Sequence, residues 1–140
     1  MSPKLFQAGL ICGLLFSILS ATAADVDVSK LPPVSTKKDV TFEKDIKPIF
    51  EKSCFKCHGG DVEKPKGKLK LDTIANALKG GENGPNIIAG SSAKSTLVHA
   101  IAGIGEEDTE MPPKGNKAKI APLTKDEIGL VRAWIDQGAK

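Results

Sequence analysis

Positions 54–58 of the chain read Cys54-Phe55-Lys56-Cys57-His58, which is the pattern C-x-x-C-H. Two thiols at this spacing can each form a thioether with one vinyl group of a porphyrin. The histidine that follows can then place its imidazole beneath the iron. The pattern therefore predicts covalent attachment of a c-type haem through Cys54 and Cys57, with His58 as the proximal axial ligand.

Two other chemistries also use closely spaced cysteines. A thioredoxin-like redox pair lies in a βαβ context, and no such context is visible in this sequence. A structural zinc site needs about four Cys or His ligands. Apart from Cys12 near the N-terminus, the chain offers only Cys54, Cys57, His58 and His99, without a second close ligand pair. Haem attachment is favoured, and a haem-free zinc-binding or thiol-redox module remains the alternative.

The N-terminus has the features of a secretory signal. Lys4 precedes an apolar run from Leu10 to Leu19, and Ala21-Thr22-Ala23 fits an A-x-A cleavage site. We therefore predict a signal peptide over residues 1–23 and a periplasmic or otherwise exported protein, which agrees with haem attachment outside the cytoplasm. Because the apolar stretch is about long enough to span a bilayer, an uncleaved leader acting as an anchor is the alternative.

The cysteine content and the net charge limit the kinds of bond and of partner that the sequence predicts. Cys12 lies in the leader, so the mature chain would keep only the two motif cysteines and no pair for a structural disulfide. The whole chain has a formal net charge of +3, and no basic stripe is interleaved with aromatic residues. This profile does not favour nucleic-acid binding.

A linker and a helix are predicted before the motif. Residues 24–40 contain Pro32-Pro33 and no apolar periodicity, which predicts a flexible linker ahead of a domain over residues 41–140. Apolar residues then recur at helical spacing from Phe42 to Phe50. Because proline is tolerated only in the first helical turn, Pro48 predicts that this helix begins near Asp45 and runs into Cys54.

Three more helices are predicted after the motif. The first covers residues 71–79, with Asp72 as its N-cap and Gly80 as its stop. The second contains residues 97–101 and begins near Ser92 or Ser95. The last begins at the capping box Thr124-Lys125-Asp126-Glu127 and ends at Gly138. With no strand alternation visible, the sequence predicts an all-α domain of short helices around one haem.

The sixth ligand of the iron follows from the inventory of side chains. Met1 belongs to the leader, so Met111 is the one thioether of the mature chain, and it lies in Glu110-Met111-Pro112-Pro113. The prolines restrict the backbone there, and charged neighbours argue against an amphipathic element in which Met111 would be core filler. We predict Met111 as the ligand. His99 is the alternative, and it would give a bis-histidine site.

Several blocks of the chain, in their order, resemble class I-like cytochrome c domains that are widespread in planctomycetes and related bacteria. The blocks are Asp45–Phe50, Cys54–Gly60, Lys68–Asp72, Gly80–Glu82, Gly90 with Ser95–Leu97, Met111–Pro113 and Leu123–Ala139. The resemblance implies one covalent haem c on Cys54 and Cys57, with His58 and Met111 as axial ligands. It also implies N- and C-terminal helices that cross, with Phe42 or Phe50 near Trp134.

A six-coordinate iron of this kind has no open position, which predicts a soluble single-electron carrier and not an enzyme. The alternative is a haem enzyme or gas-binding module with a labile sixth ligand. Redox proteins are the expected partners. Lysines near the motif and after Met111 form either a basic rim that attracts an acidic partner or an ordinary solvated surface: Lys56, Lys64, Lys66, Lys68, Lys70, Lys114, Lys117 and Lys119.

Overall fold

The computed structural model describes residues 26–140, so the predicted signal peptide lies outside the described residues. This part of the chain forms five α-helices: α1 (Lys47–Ser53), α2 (Phe55–His58), α3 (Ile74–Lys79), α4 (Thr96–Ala102) and α5 (Lys125–Asp136). A π-helical turn, Phe42–Ile46, leads into α1, and short 3₁₀ turns cover Val28–Lys30, Lys66–Lys68 and Ser92–Lys94. Over these residues the only β-type pairing is an isolated bridge between Gly81 and Gly84. The predicted all-α class is confirmed.

The terminal helical segments pack together through three aromatic rings. The ring centroid of Trp134 on α5 lies 5.6 Å from that of Phe42 and 6.4 Å from that of Phe50. All three side chains are buried. The rings of Phe42 and Phe50 also meet edge-on, with centroids 6.1 Å apart. Such tilted and edge-on pairs add to the burial of large apolar area, and the predicted contact between the terminal helices is confirmed.

The first helical segment begins earlier than predicted. It starts at Phe42 and not near Asp45, because the turn before Pro48 is π-helical. In that turn the Lys47 N–H donates to the carbonyl of Phe42. Pro48 lies in the first turn of α1 and has no N–H to donate. A wider turn upstream of it lets the chain enter the helix without a broken hydrogen-bond ladder.

The start of α3 also differs from the prediction. Thr73, and not Asp72, is the N-cap, since its hydroxyl accepts from the Asn76 N–H at 3.2 Å. The Asp72 carboxylate instead accepts from the Asn76 side-chain amide at 2.9 Å. The predicted stop is confirmed, because Gly80 has φ of 77° and ends the helix.

The starts of α4 and α5 are confirmed. Ser95 is the residue before α4. At α5, Thr124 accepts from the Glu127 N–H, and the Glu127 carboxylate accepts from the Thr124 N–H at 2.8 Å. This reciprocal capping box satisfies two backbone donors at the helix start. The last helical residue is Asp136, two residues before the predicted stop at Gly138.

The residues predicted to be a flexible linker lie against α5. The Ser35 N–H donates to the Gly129 carbonyl at 3.0 Å, and the Arg132 guanidinium donates to the Pro32 carbonyl. The Gln137 side chain donates to the Lys37 carbonyl at 2.8 Å and accepts from the Val40 N–H at 3.1 Å. Residues 26–40, called the N-terminal strap below, thus contact the domain along much of their length. The domain boundary at residue 40 stays a prediction. Among residues 26–140, no helix is long and apolar enough to cross a bilayer.

Candidate haem site

A cavity of about 560 Å³ opens between the C-x-x-C-H segment, α4 and the loop after α4. Its volume lies within the range of roughly 300–1,000 Å³ that is usual for small-molecule sites. Its wall is mostly apolar, and its lining includes six large aliphatic side chains: Leu69, Leu71, Leu97, Ile101, Ile120 and Leu123. The cavity suits a large apolar group.

All four predicted site residues line this one cavity. Cys54, Cys57 and His58 come from the segment around α2, while Met111 comes from the loop after α4. The folded chain therefore brings together residues that are far apart in sequence. Two thiols, an imidazole and a thioether are also the donors that a covalently attached haem c uses.

The two cysteines are free thiols in the wall of the cavity. Cys54 separates α1 from α2, and its own backbone is not helical, with φ of −125°. Burial raises the pKa of the Cys54 thiol to about 12, and the neighbouring Cys57 adds to the rise. Such a thiol is neutral at neutral pH. A thioether is neutral as well, so its formation at this position would bury no charge.

His58, the last residue of α2, is oriented by a backbone carbonyl. Its Nδ1 lies 3.1 Å from the carbonyl oxygen of Leu69. Because a carbonyl can only accept, this contact assigns the proton to Nδ1 and leaves Nε2 with the lone pair that a metal ligand needs. The Leu71 N–H donates to the His58 carbonyl at 2.8 Å and holds the same two segments together. The sequence gives no indication that the Leu69 carbonyl is the partner of the His58 ring, because the carbonyl belongs to the backbone.

Met111 is tied to α4 through its backbone. Its N–H donates to the Ala100 carbonyl at 3.0 Å, and its half-buried side chain packs against the hydrophobic core. Pro112, the next residue, is buried. On the outer side of the loop, the Glu110 carboxylate pairs with the Lys114 ammonium at 2.9 Å.

The competing ligands do not meet at this cavity. His99 does not line it, and its Nε2 lies 2.8 Å from the Ala93 carbonyl. No group of three or more His, Cys, Asp or Glu side chains across residues 26–140 is arranged to hold a metal ion. The zinc alternative therefore has no support in the described part of the chain.

One buried polar atom in the wall has no partner within the described protein. The hydroxyl oxygen of Ser53 is buried, makes no hydrogen bond, and belongs to a residue that lines the cavity. Buried hydroxyls are normally satisfied. This oxygen is buried even though the cavity beside it is open, so the hydroxyl does not face the occupant of the cavity.

Part of the predicted basic rim lies at the cavity. Lys56, Lys66 and Lys117 line it, and no carboxylate does. Lys70 instead donates to the Gly60 carbonyl at 3.0 Å, and Lys114 is paired as described above. The cavity therefore has a positive edge made by three of the eight lysines named from the sequence.

The match to a family model agrees with this site. Residues 54–115 match the family described as planctomycete cytochrome C, which confirms the resemblance over those residues and implies covalently bound haem c. Among solved structures, the chain is similar to Kuenenia stuttgartiensis hydrazine synthase. The identity is 23%, the match covers 71% of this chain and 16% of that chain, and the TM-score is 0.46. No curated protein matches.

Proposed function

We propose that this c-type cytochrome, with its planctomycete-type domain over residues 54–115, carries single electrons between redox partners. In this proposal one haem c is attached at Cys54 and Cys57, and its iron is ligated by His58 and Met111. The observation that carries the proposal is the convergence of these four side chains on a single apolar cavity.

The residues around the cavity suit a carrier. When bound, the haem supplies one-electron cycling between Fe(II) and Fe(III). The Leu69 carbonyl holds the imidazole of His58 in the tautomer that presents Nε2. A thioether from Met111 favours a higher reduction potential than a second imidazole would. With haem bound, the aliphatic wall would keep water away, which disfavours the net positive charge of the ferric form relative to the neutral ferrous form and would raise the potential further.

An enzyme that cleaves peroxide is expected to place a second histidine or an arginine beside the iron. Within residues 26–140, His58 is the one histidine at the cavity and no arginine lines it. His99 and Arg132, which could serve such a role, are engaged with the carbonyls of Ala93 and Pro32. These contacts support the carrier over a peroxide-cleaving enzyme.

Spectroscopy and voltammetry of the haem-loaded protein test the ligation. We expect the far-red sulfur-to-iron band in the oxidised protein, slow carbon monoxide binding in the reduced protein, and loss of the band in Met111→Ala. His99→Ala is the matched control, and it should keep the band and the potential. Rapid carbon monoxide binding by the wild type would instead favour an open site and count against the carrier.

The expected partner is an acidic redox protein that docks at the positive edge of the cavity. Lys56, Lys66 and Lys117 lie at that edge, where they would attract a negative surface and raise the rate of encounter. We expect the triple change of these lysines to Glu to slow electron transfer and to reverse its dependence on salt.

A charge-matched control separates docking from net charge. Changing Lys79, Lys94 and Lys125 to Glu alters the net charge equally, and none of these lysines lines the cavity. If both triple variants transfer electrons at the same rate and with the same salt slope, docking does not occur at the cavity edge.

Export belongs to the same proposal. Cell fractionation should recover the haem-bearing protein in the periplasm, with the N-terminus beginning after Ala23 if the leader is cleaved. Recovery in the membrane fraction with the leader intact would favour the anchor, and recovery in the cytoplasm would contradict export.

A further inference from the structure

The loop that carries Met111 is long and has no regular structure. No helix or strand lies between the end of α4 at Ala102 and the start of α5 at Lys125. Yet this loop forms one wall of the cavity, through Met111, Pro112, Pro113, Asn116, Lys117, Ala118 and Ile120. A loop of this length lacks the repeated backbone hydrogen bonds of a helix, so its shape depends on specific contacts.

The side chain of Asn116 provides three of these contacts. Its Nδ2 donates to the carbonyls of Pro113, at 3.1 Å, and Ile120, at 3.0 Å. Its Oδ1 accepts from the Ile120 N–H at 2.8 Å. The half-buried amide thus uses both of its donor hydrogens and its acceptor within one short segment.

These bonds join Pro113 to Ile120 through the Asn116 side chain and so fix the shape of the segment just after Met111. Pro113 is two residues beyond the methionine, and Asn116 joins it to Ile120 through a single side chain. On the other side, the Met111 N–H is bonded to the Ala100 carbonyl at 3.0 Å. The thioether is therefore held between an anchor on α4 and a segment closed by Asn116.

We infer that Asn116 is a positioning residue that keeps the thioether of Met111 directed into the cavity and so favours its bond to the iron. The inference rests on the proposed ligation by Met111. Without the amide, the Ile120 carbonyl and the Ile120 N–H lose their side-chain partner, and the Pro113 carbonyl keeps only the Asn116 backbone N–H, at 3.1 Å. The loop then opens more often, and an added ligand can replace the thioether.

Imidazole is a suitable probe, because it competes with a methionine thioether for haem iron. In Asn116→Ala we expect the affinity of the oxidised protein for imidazole to rise about tenfold, which corresponds to roughly 1.4 kcal/mol. Asn116→Asp keeps the size of the side chain and the acceptor for Ile120 but cannot donate to the two carbonyls when ionised. It should show a rise as well, so the test does not depend on one variant folding.

The matched control is Asn76→Ala. Asn76 is also half-buried and also makes a side-chain hydrogen bond, to Asp72 at 2.9 Å, but it lies on α3 and does not line the cavity. Its imidazole affinity should stay within twofold of wild type. An equal rise in the control would show general loosening and overturn the inference.

The remaining outcomes distinguish the inference from the function on which it rests. If Met111→Ala loses the far-red band while both Asn116 variants bind imidazole like wild type, Asn116 does not position the ligand and the proposed ligation stands. If wild type has no such band, or Met111→Ala keeps it, the ligation fails and the inference fails with it.

Discussion

Replacing Trp134 with Phe tests whether the aromatic contact between the terminal helices stabilises the domain. Trp134 is completely buried, with its ring centroid 5.6 Å from that of Phe42 and 6.4 Å from that of Phe50. Its indole N–H donates to the Lys140 carbonyl at 3.0 Å. The substitution keeps an aromatic ring but removes part of the packed volume and this hydrogen bond.

The expected loss can be assembled from two contributions. The atoms removed from a packed site cost about 1–2 kcal/mol in transfer and cavity terms, at the low end of large-to-small core changes. The lost hydrogen bond costs about 1 kcal/mol. The Lys140 carbonyl still accepts from the Phe42 N–H at 3.2 Å, so no unpaired-group penalty is added. Together the free energy of unfolding should fall by about 2–3 kcal/mol.

Guanidinium unfolding of the haem-loaded protein measures this change, with Ile88→Ala as the control. Ile88 is 47% exposed, so its truncation should alter the free energy of unfolding by no more than about 0.5 kcal/mol. The reduction potential should not change, because none of the three aromatic rings lines the cavity. If the free energy of unfolding falls by less than about 1 kcal/mol, the contacts of Trp134 with Phe42 and Phe50 do not stabilise the domain as argued.

Two further changes test the N-terminal strap and its contact with the first helix. In Gly129→Ala a Cβ would lie 2.6 Å from the Pro33 carbonyl oxygen, so the strap must shift, and we expect a lower melting temperature together with faster proteolysis before residue 40. Unchanged proteolysis would show that the strap does not depend on this contact. The Lys37 side chain and the Thr41 N–H hold the pKa of the Asp45 carboxyl below its usual value of 3.8. The ionised carboxylate therefore stabilises the fold at pH values above 3.8, and this stabilisation is lost as the pH falls through the lowered pKa. In Asp45→Asn the deficit in unfolding free energy should therefore be largest near neutral pH and shrink in acid, whereas a deficit independent of pH would contradict the role of the charge.

The parts of the fold that were predictable from sequence depend on local chemistry. The capping box at Thr124 lies within four residues and defines the start of α5 without help from the rest of the chain. The spacing of Cys54, Cys57 and His58 is equally local. The contact of Trp134 with Phe42 was expected from the family resemblance, and the structure contains it.

Two predicted helix starts are wrong, one where neighbouring residues compete to be the N-cap and one where the turn before the helix is π-helical. Asp72 and Thr73 are both good N-cap residues, and the structure uses Thr73 as the cap while Asp72 bonds to the Asn76 side chain. Before Pro48, a π-helical turn extends the helical segment back to Phe42. Rules for α-helices do not anticipate such a turn.

Other features depend on contacts between distant parts of the chain. The carbonyl of Leu69 that orients His58 belongs to a backbone group, which no residue type reveals. The strap at residues 26–40 is polar and proline-containing, yet its backbone bonds to Gly129 on α5. Asn116 looks like an ordinary turn residue until its three side-chain bonds are seen.

Intact-protein mass spectrometry can detect a haem bonded to both cysteines of the cavity, on chain produced with the haem-attachment machinery. We expect a mass gain of one haem that survives denaturation and maps to the peptide containing Cys54 and Cys57, with no gain when both are changed to Ala. An unmodified peptide, under conditions in which a control cytochrome c is matured, would contradict this expectation.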